Sequence, residues 1–209
     1  MRRIAHLSDL HFGAQDPLAV EALASALAEH VPDVVVVSGD LTQRARRGQF
    51  RAADAFLRRI EANGGAVVMV PGNHDIPLYD VARRFLSPLR RYRRYAAAGR
   101  RECYFDEEVA IVGLNTARSL TFKNGRLSLA QINGLSDGFT AASPGAIRLL
   151  VTHHPLVPLQ GKAAERPESE LGRASLALAA IGEARVRVVL AGHMHHAGVE
   201  RGPKAVAQP

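Results

Sequence analysis

The sequence predicts an α/β fold in which strands and helices alternate along the chain. Five apolar runs have strand character, and each ends in residues of the kinds that bind metals or move protons. The runs and their polar ends are 4–7 with 8–11, 34–37 with 38–40, 67–70 with 71–75, 147–151 with 152–154, and 186–190 with 191–195. Segments between the runs have helical periodicity, which favours a largely parallel sheet. Because parallel strands bring their carboxyl ends to one edge, we expect the five polar segments to meet in one cleft.

The length and composition indicate one domain, which we expect to span residues 1–209. The chain has 209 residues, and 47% of them are hydrophobic, enough for a single large core. No apolar segment approaches the roughly 20 residues that cross a bilayer, and no signal-like apolar region follows the start. We therefore expect a soluble, cytoplasmic protein. A single cysteine, Cys103, excludes an internal disulfide.

The net charge of +7 is concentrated in one segment of the chain, residues 81–101. This arginine-rich segment holds eight arginines and no acidic residue, so the rest of the chain is close to neutral. Its apolar residues recur every three or four positions, and Ser87-Pro88 divides it, so we expect two short helices. The segment is either a solvated helical surface or a basic rim that steers anionic substrates into the cleft.

Periodicity and turn residues predict the remaining elements. We expect helices near 17–29, 50–60, 129–135 and 171–183, a hairpin of 103–105 with 109–114, a turn at 123–126 and a polar loop at 160–169. Asn115, which follows the hairpin, fits a turn residue better than a substrate contact.

The polar ends of the strands contain seven candidate metal ligands. They are Asp9, His11, Asp40, Asn73, one of His153 and His154, His193 and His195. Oxygen and imidazole ligands without thiolate suit Mn, Fe, Zn or Co. In extended segments residues i and i+2 point the same way, so Asp9 with His11, and His193 with His195, can each offer two ligands to one place. Seven ligands are too many for one ion and suit two ions that share a carboxylate.

A pair of ions would favour phosphate-ester chemistry. Two metals about 3.5–4 Å apart polarise a phosphoryl oxygen and lower the pKa of bound water, which makes hydroxide available near neutral pH. Two divalent ions against the charges of Asp9 and Asp40 leave the site positive, which favours an anionic phosphoester over a neutral amide. Each motif is weak by itself, and the argument depends on their agreement.

The chain resembles the calcineurin-like metallophosphoesterase superfamily. The motifs SDLH, GDLT, GNHD, HHP and GHMH occur in the family's order and spacing, over residues 8–195. The segments HLSDLHFG, VPGNHDIPLY and VTHHPLVP resemble most closely the branch that holds the bacterial class III cyclic-nucleotide phosphodiesterases. The resemblance implies a β-sandwich of two mixed sheets flanked by helices, with a short C-terminal region.

The resemblance also implies roles for individual residues. One ion would be held by Asp9, His11, Asp40 and His195, and the other by Asp40, Asn73, His153 and His193. Manganese or iron are the metals expected first, followed by zinc or cobalt. His153 is chosen over His154 because the family's ligand stands two residues before the proline. His74 would face the substrate, whereas Asp75 would orient its loop or an imidazole and His154 would support the ligands from outside. His196 would either support the ligands in the same way or lie on the surface.

The chain departs from the family pattern after the last motif. Members usually continue with further strands of the second sheet, whereas this chain ends at Pro209. We expect either a reduced second sheet, with an edge that a homodimer partner covers, or the loss of a tail that shapes substrate choice.

The resulting hypothesis is a phosphodiesterase that uses a metal-bound hydroxide on cyclic nucleotides or related small phosphodiesters. Two alternatives stay open. The arginines slightly favour a metal-dependent nuclease that acts on DNA, and loss of the metals would leave a non-catalytic binding module.

Overall fold

The computed structural model of the protein describes residues 1–157, 171–195 and 198–199. Its strands are β1 (Ile4–Leu7), β2 (Val34–Val37), β3 (Ala66–Met69), β4 (Cys103–Phe105), β5 (Val109–Gly113), β6 (Gly125–Arg126), β7 (Ile147–Val151), β8 (Leu171–Gly172) and β9 (Val188–Leu190). One sheet has the order β1-β2-β3 and is parallel throughout, whereas the second has the order β4-β5-β7-β9. Among the described strands of the second sheet, only β4 is antiparallel to its neighbour. Strands β6 and β8 form a separate parallel pair.

The first sheet is apolar on both faces, which explains why it is covered on both sides. Alternate residues of a strand point to opposite faces. Val35, Val37, Val67 and Met69 pack in the cluster that faces helices, and Val34, Val36, Val68 and Val70 pack against the second sheet. The second sheet contributes Val109, Ile111, Leu149 and Val151 to that inter-sheet core.

Helices cover the outer face of each sheet. The α-helices are α1 (Pro17–His30), α2 (Arg47–Ala62), α3 (Val81–Leu86), α4 (Leu129–Asn133), α5 (Leu135–Gly138) and α6 (Ala174–Glu183). Buried residues of α1 and α2 pack on the first sheet, and those of α4, α5 and α6 pack on the second. The layers are therefore helix, sheet, sheet and helix, which confirms the predicted α/β sandwich of two sheets flanked by helices. Of its two described sheets only the second is mixed, since the first is parallel throughout. None of the described helices is both long and apolar enough to cross a bilayer.

The expectation of one largely parallel sheet from the chain pattern alone was wrong. The five strands that carry the motifs divide between the two sheets, three in the first and two in the second. Alternation of strands and helices indicates parallel neighbours, but it cannot show where a sheet ends. That point depends on the inter-sheet core, which joins residues distant in the sequence.

Several element boundaries also differ from expectation. Helix α2 begins at Arg47 because the Gln49 side chain accepts hydrogen bonds from the backbone N–H groups of Arg44 and Arg46. The helix predicted at 129–135 is interrupted at Gly134, and part of the turn predicted at 123–126 is strand β6. Residues 171–172 pair with that strand, so the next helix starts later, at 174. The loop predicted at 160–169 lies outside the described residues.

The arginine-rich segment forms two short helices, as predicted. Helix α3 ends before Ser87, and a π-helix follows at Tyr92–Ala96. Tyr92 and Ala96 are buried against α2, whereas Arg90, Arg93 and Arg94 are exposed. The segment therefore covers the core with one face and presents arginines on another.

We predict that Ile111→Ala lowers the free energy of unfolding by about 2–5 kcal/mol, because the side chain is fully buried between the sheets. Urea denaturation would measure the change. Leu18→Ala is the control, since Leu18 is 80% exposed on α1, and its effect should stay within about 0.5 kcal/mol. Equal, small effects of both substitutions would contradict the inter-sheet packing.

Candidate metal centre

The carboxyl ends of five strands bring the predicted ligands into one cluster. Four overlapping groups of three side chains each have their nitrogen or oxygen ligand atoms within 4.8 Å of one another. The groups are Asp9, His11 and His195; His11, Asp40 and His74; Asp9, Asp40 and His153; and His153, His154 and His193. Asn73 adjoins the two groups that contain His153, because its Oδ1 atom lies 3.0 Å from His153 Nε2. The loops after β1, β2, β3, β7 and β9 therefore share a single site.

Asp40 lies between two subsets of these ligands. Its Oδ2 atom is 3.8 Å from His11 Nε2 on one side and 3.4 Å from His153 Nε2 on the other. His11 Nε2 lies 3.0 Å from His195 Nε2, and His193 Nδ1 lies 3.3 Å from His153 Nε2. Asp40 itself is buried, so its carboxylate is shielded from solvent.

Atoms with lone pairs face one another in the cluster, an arrangement that suits a bound cation. His153 Nδ1 donates a hydrogen bond to the Ser38 carbonyl at 2.8 Å, so in the neutral ring the Nε2 lone pair faces the oxygens of Asn73 and Asp40. Such a contact between acceptors is repulsive unless a proton or a cation lies between them. Ligands that bind one ion at about 2.1 Å lie about 3.0–3.4 Å apart, which is the spacing of His153 Nε2 from the Asn73 and Asp40 oxygens. The residues present therefore fit a metal centre.

The pKa values of the clustered side chains are consistent with a site that attracts cations. Burial acts to raise the pKa of Asp40, but the charge of His153 and its hydrogen bond hold that pKa well below its usual range. Burial acts to lower the pKa of His153, whereas the Asp40 charge and hydrogen bond raise it to about 9. Burial also lowers the pKa of His11, which favours the neutral imidazole that binds metals.

Five of the clustered residues have a left-handed backbone. The φ angles are 55° at Asp9, 44° at His11, 50° at Asp40, 74° at His193 and 51° at His195. Residues with side chains rarely adopt this region, and it costs about 1–3 kcal/mol where the surrounding structure imposes it. The extended geometry assumed for these segments was therefore wrong. Asp9 and His11 still converge, but His193 and His195 reach different partners, namely His153 and His11.

Glycine is required where two of these loops approach each other. A Cβ atom on Gly72 would collide with the Asp40 carboxylate, and one on Gly39 would lie 2.7 Å from His153 Nδ1. The glycines of the GD and GN motifs therefore allow the close approach that places Asp40 in the cluster.

Asp75 fastens the loop after β3 to the loop after β2. Its two carboxylate oxygens accept hydrogen bonds from the backbone N–H groups of Leu41, Thr42 and Gly72 and from the Thr42 hydroxyl, at 3.0–3.2 Å. Complete burial and the neighbouring Asp40 raise its pKa to about 6. Asp75 therefore holds the backbone from beneath the cluster.

His153 and His154 occupy different environments. His154 Nε2 donates to the Lys123 carbonyl at 2.7 Å, and its Nδ1 accepts from the Thr116 hydroxyl at 2.7 Å. Burial lowers the pKa of His154 to about 3, so the ring is neutral with both nitrogens engaged. His196 lies outside the described residues.

His74 lies at the edge of the cluster, beside a small pocket. Its backbone N–H donates to Asp40 Oδ1 at 2.8 Å, and its Nδ1 donates to the Gln43 carbonyl at 2.9 Å. That tautomer leaves Nε2 without a hydrogen-bond partner among the described residues. The pocket is lined by Gln43, Arg44, Asn73, His74, Ile76, Leu78, Arg84 and Phe122.

Sequence reasoning missed Arg44, whose Nη1 atom lies 3.4 Å from His74 Nδ1. Its position four residues after Asp40 was the available signal, but the polar loop gave no direction for the side chain. Asn115 is a turn residue as expected, since its Oδ1 accepts from the Ala117 N–H group at 2.9 Å.

We predict that Asp75→Asn lowers the free energy of unfolding by at least about 2 kcal/mol, because an amide cannot accept all four hydrogen bonds of the carboxylate. Thermal or urea denaturation of the metal-free protein would measure it. Asp137→Asn, at an exposed position of α5, is the matched control and should leave stability unchanged. Equal stability of the two variants would show that Asp75 does not hold the loops.

The sequence matches the calcineurin-like phosphoesterase family over residues 2–197. A solved structure of a dimetal phosphatase from Danio rerio is similar in fold, with a TM-score of 0.63 at 16% identity, over 93% of this chain and 82% of the other. A second solved structure has a TM-score of 0.54 at 15% identity, over 92% of this chain and 84% of its own. No curated protein matches at a significant level. The chain belongs to the calcineurin-like phosphoesterase family, whose members are metal-dependent phosphoester hydrolases.

Proposed function

We propose that the chain is a dimetal phosphodiesterase in which Asp40 is shared by two metal ions. Asp9, His11, Asp40 and His195 would hold one ion, and Asp40, Asn73, His153 and His193 would hold the other. The observation that carries the proposal is the position of Asp40 Oδ2, which lies within 4 Å of a ligand atom of each set. The dimetal phosphatase from Danio rerio, which has a similar fold, accords with two ions.

The ligand set favours manganese or iron, with zinc or cobalt as further candidates, because it combines carboxylate, amide and imidazole donors. When bound, such ions polarise a phosphoryl oxygen and lower the pKa of a bound water. The chain supplies only two carboxylates to two cations, so the centre keeps a positive charge that attracts a phosphoester. Of His153 and His154, the proposal assigns the ligand role to His153, since both nitrogens of His154 are engaged elsewhere.

His74 is proposed as the residue that acts on the substrate directly. The Gln43 carbonyl holds the proton on Nδ1, so Nε2 is the nitrogen that can meet a substrate oxygen. In the protonated ring, Nε2–H would donate to the leaving oxygen or stabilise charge that develops on the phosphoryl group. The hydrogen bond from the His74 backbone to Asp40 keeps the ring next to the shared carboxylate.

The substrate proposed is a cyclic nucleotide or a related small phosphodiester. The support is the motif resemblance to the cyclic-nucleotide branch, together with a pocket beside His74 that combines apolar side chains with Arg44. A cytoplasmic location and a homodimer partner that covers an exposed edge of the second sheet stay predictions of the sequence.

We predict that substitutions of the adjacent residues His153 and His154 have different effects on metal content. Metal content after reconstitution with Mn²⁺, measured by atomic emission, should be two ions per chain in the unaltered protein. His154→Gln should keep two ions, whereas His153→Gln should lose the second ion and Asp40→Asn should lose both. Loss in His154→Gln with retention in His153→Gln would reverse the assignment. Circular dichroism would show that each variant is folded.

Hydrolysis of bis(p-nitrophenyl) phosphate in the presence of Mn²⁺ tests the activity. His74→Ala should lower kcat by about 100-fold or more while metal content is unchanged, because it removes a proton donor but no proposed ligand. His30→Ala, at the exposed end of α1, is the control. The proposal fails if Mn, Fe, Co, Zn and Ni all give no turnover. Cleavage of DNA without turnover of a cyclic nucleotide would favour the nuclease.

A further inference from the structure

Six large apolar side chains are exposed in two segments beside the pocket. In the first segment Tyr79 is 74% exposed, Val81 63%, Phe85 52% and Leu86 85%, and in the second Leu120 is 83% and Phe122 63% exposed. Single exposed apolar residues are common, but a group of them marks a surface that contacts another molecule or a membrane.

One buried arginine holds the two segments together. The Arg84 guanidinium, only 3% exposed, donates to the backbone carbonyls of Pro77, Ser119 and Thr121 at 2.8–3.1 Å. It also lies over the Phe122 ring, 4.5 Å from the ring centroid. The apolar side chains are therefore presented by a fixed framework and not by two independent loops.

Exposed arginines continue this surface beyond α3. A surface cavity of about 580 Å³ is lined by residues 86–90 together with Arg93 and Arg94. Asp80, the acid that precedes α3, is engaged by Arg83 and lies 3.9 Å from Arg91, and Arg100 pairs with Asp54 and Glu61. Arg90, Arg93 and Arg94 have no acidic partner among the described residues. This part of the surface is available to bind anions.

We propose that these six apolar residues and three arginines form a docking face for the surface of an anionic lipid bilayer. Apolar side chains insert at the boundary of headgroups and acyl chains, while arginines beside them attract anionic headgroups. A nucleic acid would match the arginines but not the exposed leucines and valine, since nucleic-acid interfaces are more polar than this. An acidic protein would match the arginines, but the six exposed apolar side chains beside them suit the boundary of headgroups and acyl chains better.

The docking face touches the candidate metal centre at one edge. Phe122 and Arg84 also line the pocket that contains His74, so docking would hold that pocket next to the membrane. The inference goes beyond the proposed function. Because vesicle binding involves no proposed metal ligand, it can be measured on metal-free protein, and its failure is distinguishable from failure of the phosphodiesterase proposal.

Sedimentation with vesicles tests the proposal. The full chain should bind vesicles of phosphatidylglycerol with phosphatidylcholine, bind pure phosphatidylcholine weakly, and lose affinity as salt rises. Arg90→Gln with Arg93→Gln should weaken binding about 25-fold, since each arginine near a charged bilayer contributes about fivefold. Phe85→Ser with Leu86→Ser should weaken it by at least about tenfold.

Two control variants remove the same kinds of residue from the opposite helical layer or from the second sheet's edge. Leu129→Ser with Leu176→Ser removes exposed leucines of α4 and α6, and Arg185→Gln with Arg187→Gln removes two exposed arginines. Both should bind like the unaltered chain, and equal melting temperatures would show that all variants are folded. Absence of binding to anionic vesicles would overturn the proposal, as would equal losses of binding in test and control variants. Binding of DNA through this face, or self-association through it, in place of vesicle binding would also overturn it.

Discussion

The burial of one carboxylate, that of Asp40, is the constraint on which the rest of the site depends. Its two oxygens have different partners: Oδ1 accepts from the His74 backbone, and Oδ2 faces His11 and His153. A buried charge without partners costs several kcal/mol, so the surrounding loops must bring donors or cations to it. Because these partners come from the loops after β1, β3 and β7, and Asp40 itself follows β2, the position of Asp40 ties both sheets to a single centre.

The convergence of these loops on Asp40 requires a strained backbone around the cluster. Five clustered residues adopt left-handed angles, and two glycines allow loops to pass closer than any side chain would permit. Such strain persists only where neighbouring structure imposes it. Around Asp40 the Asp75 carboxylate supplies that support. Three of its hydrogen bonds, from Leu41 and Thr42, join the loop after β3 to the loop after β2, and a fourth, from Gly72, lies within the loop after β3.

Adjacent residues of one motif make different contacts in the structure. His153 faces the cluster, whereas His154 is fixed by Thr116 and Lys123 and is kept neutral by burial. Asn73 points its carbonyl oxygen at His153, and its neighbour His74 turns its ring to Gln43 and the pocket. A short motif therefore encodes which residue types are present, and the contacts of each side chain decide what each one can do.

The chain pattern alone was sufficient for the α/β class, for the five strand ends that converge and for the residue types in the cluster, because these depend on local periodicity and on the parallel direction of strands. Asp9 and His11 were expected together and are together. The division of the strands into two sheets, the left-handed backbone at His193 and His195, the separate environments of His153 and His154, and the approach of Arg44 to His74 came only with the tertiary structure. Each of these depends on contacts between residues far apart in the chain, and no local pattern of side chains reports such contacts.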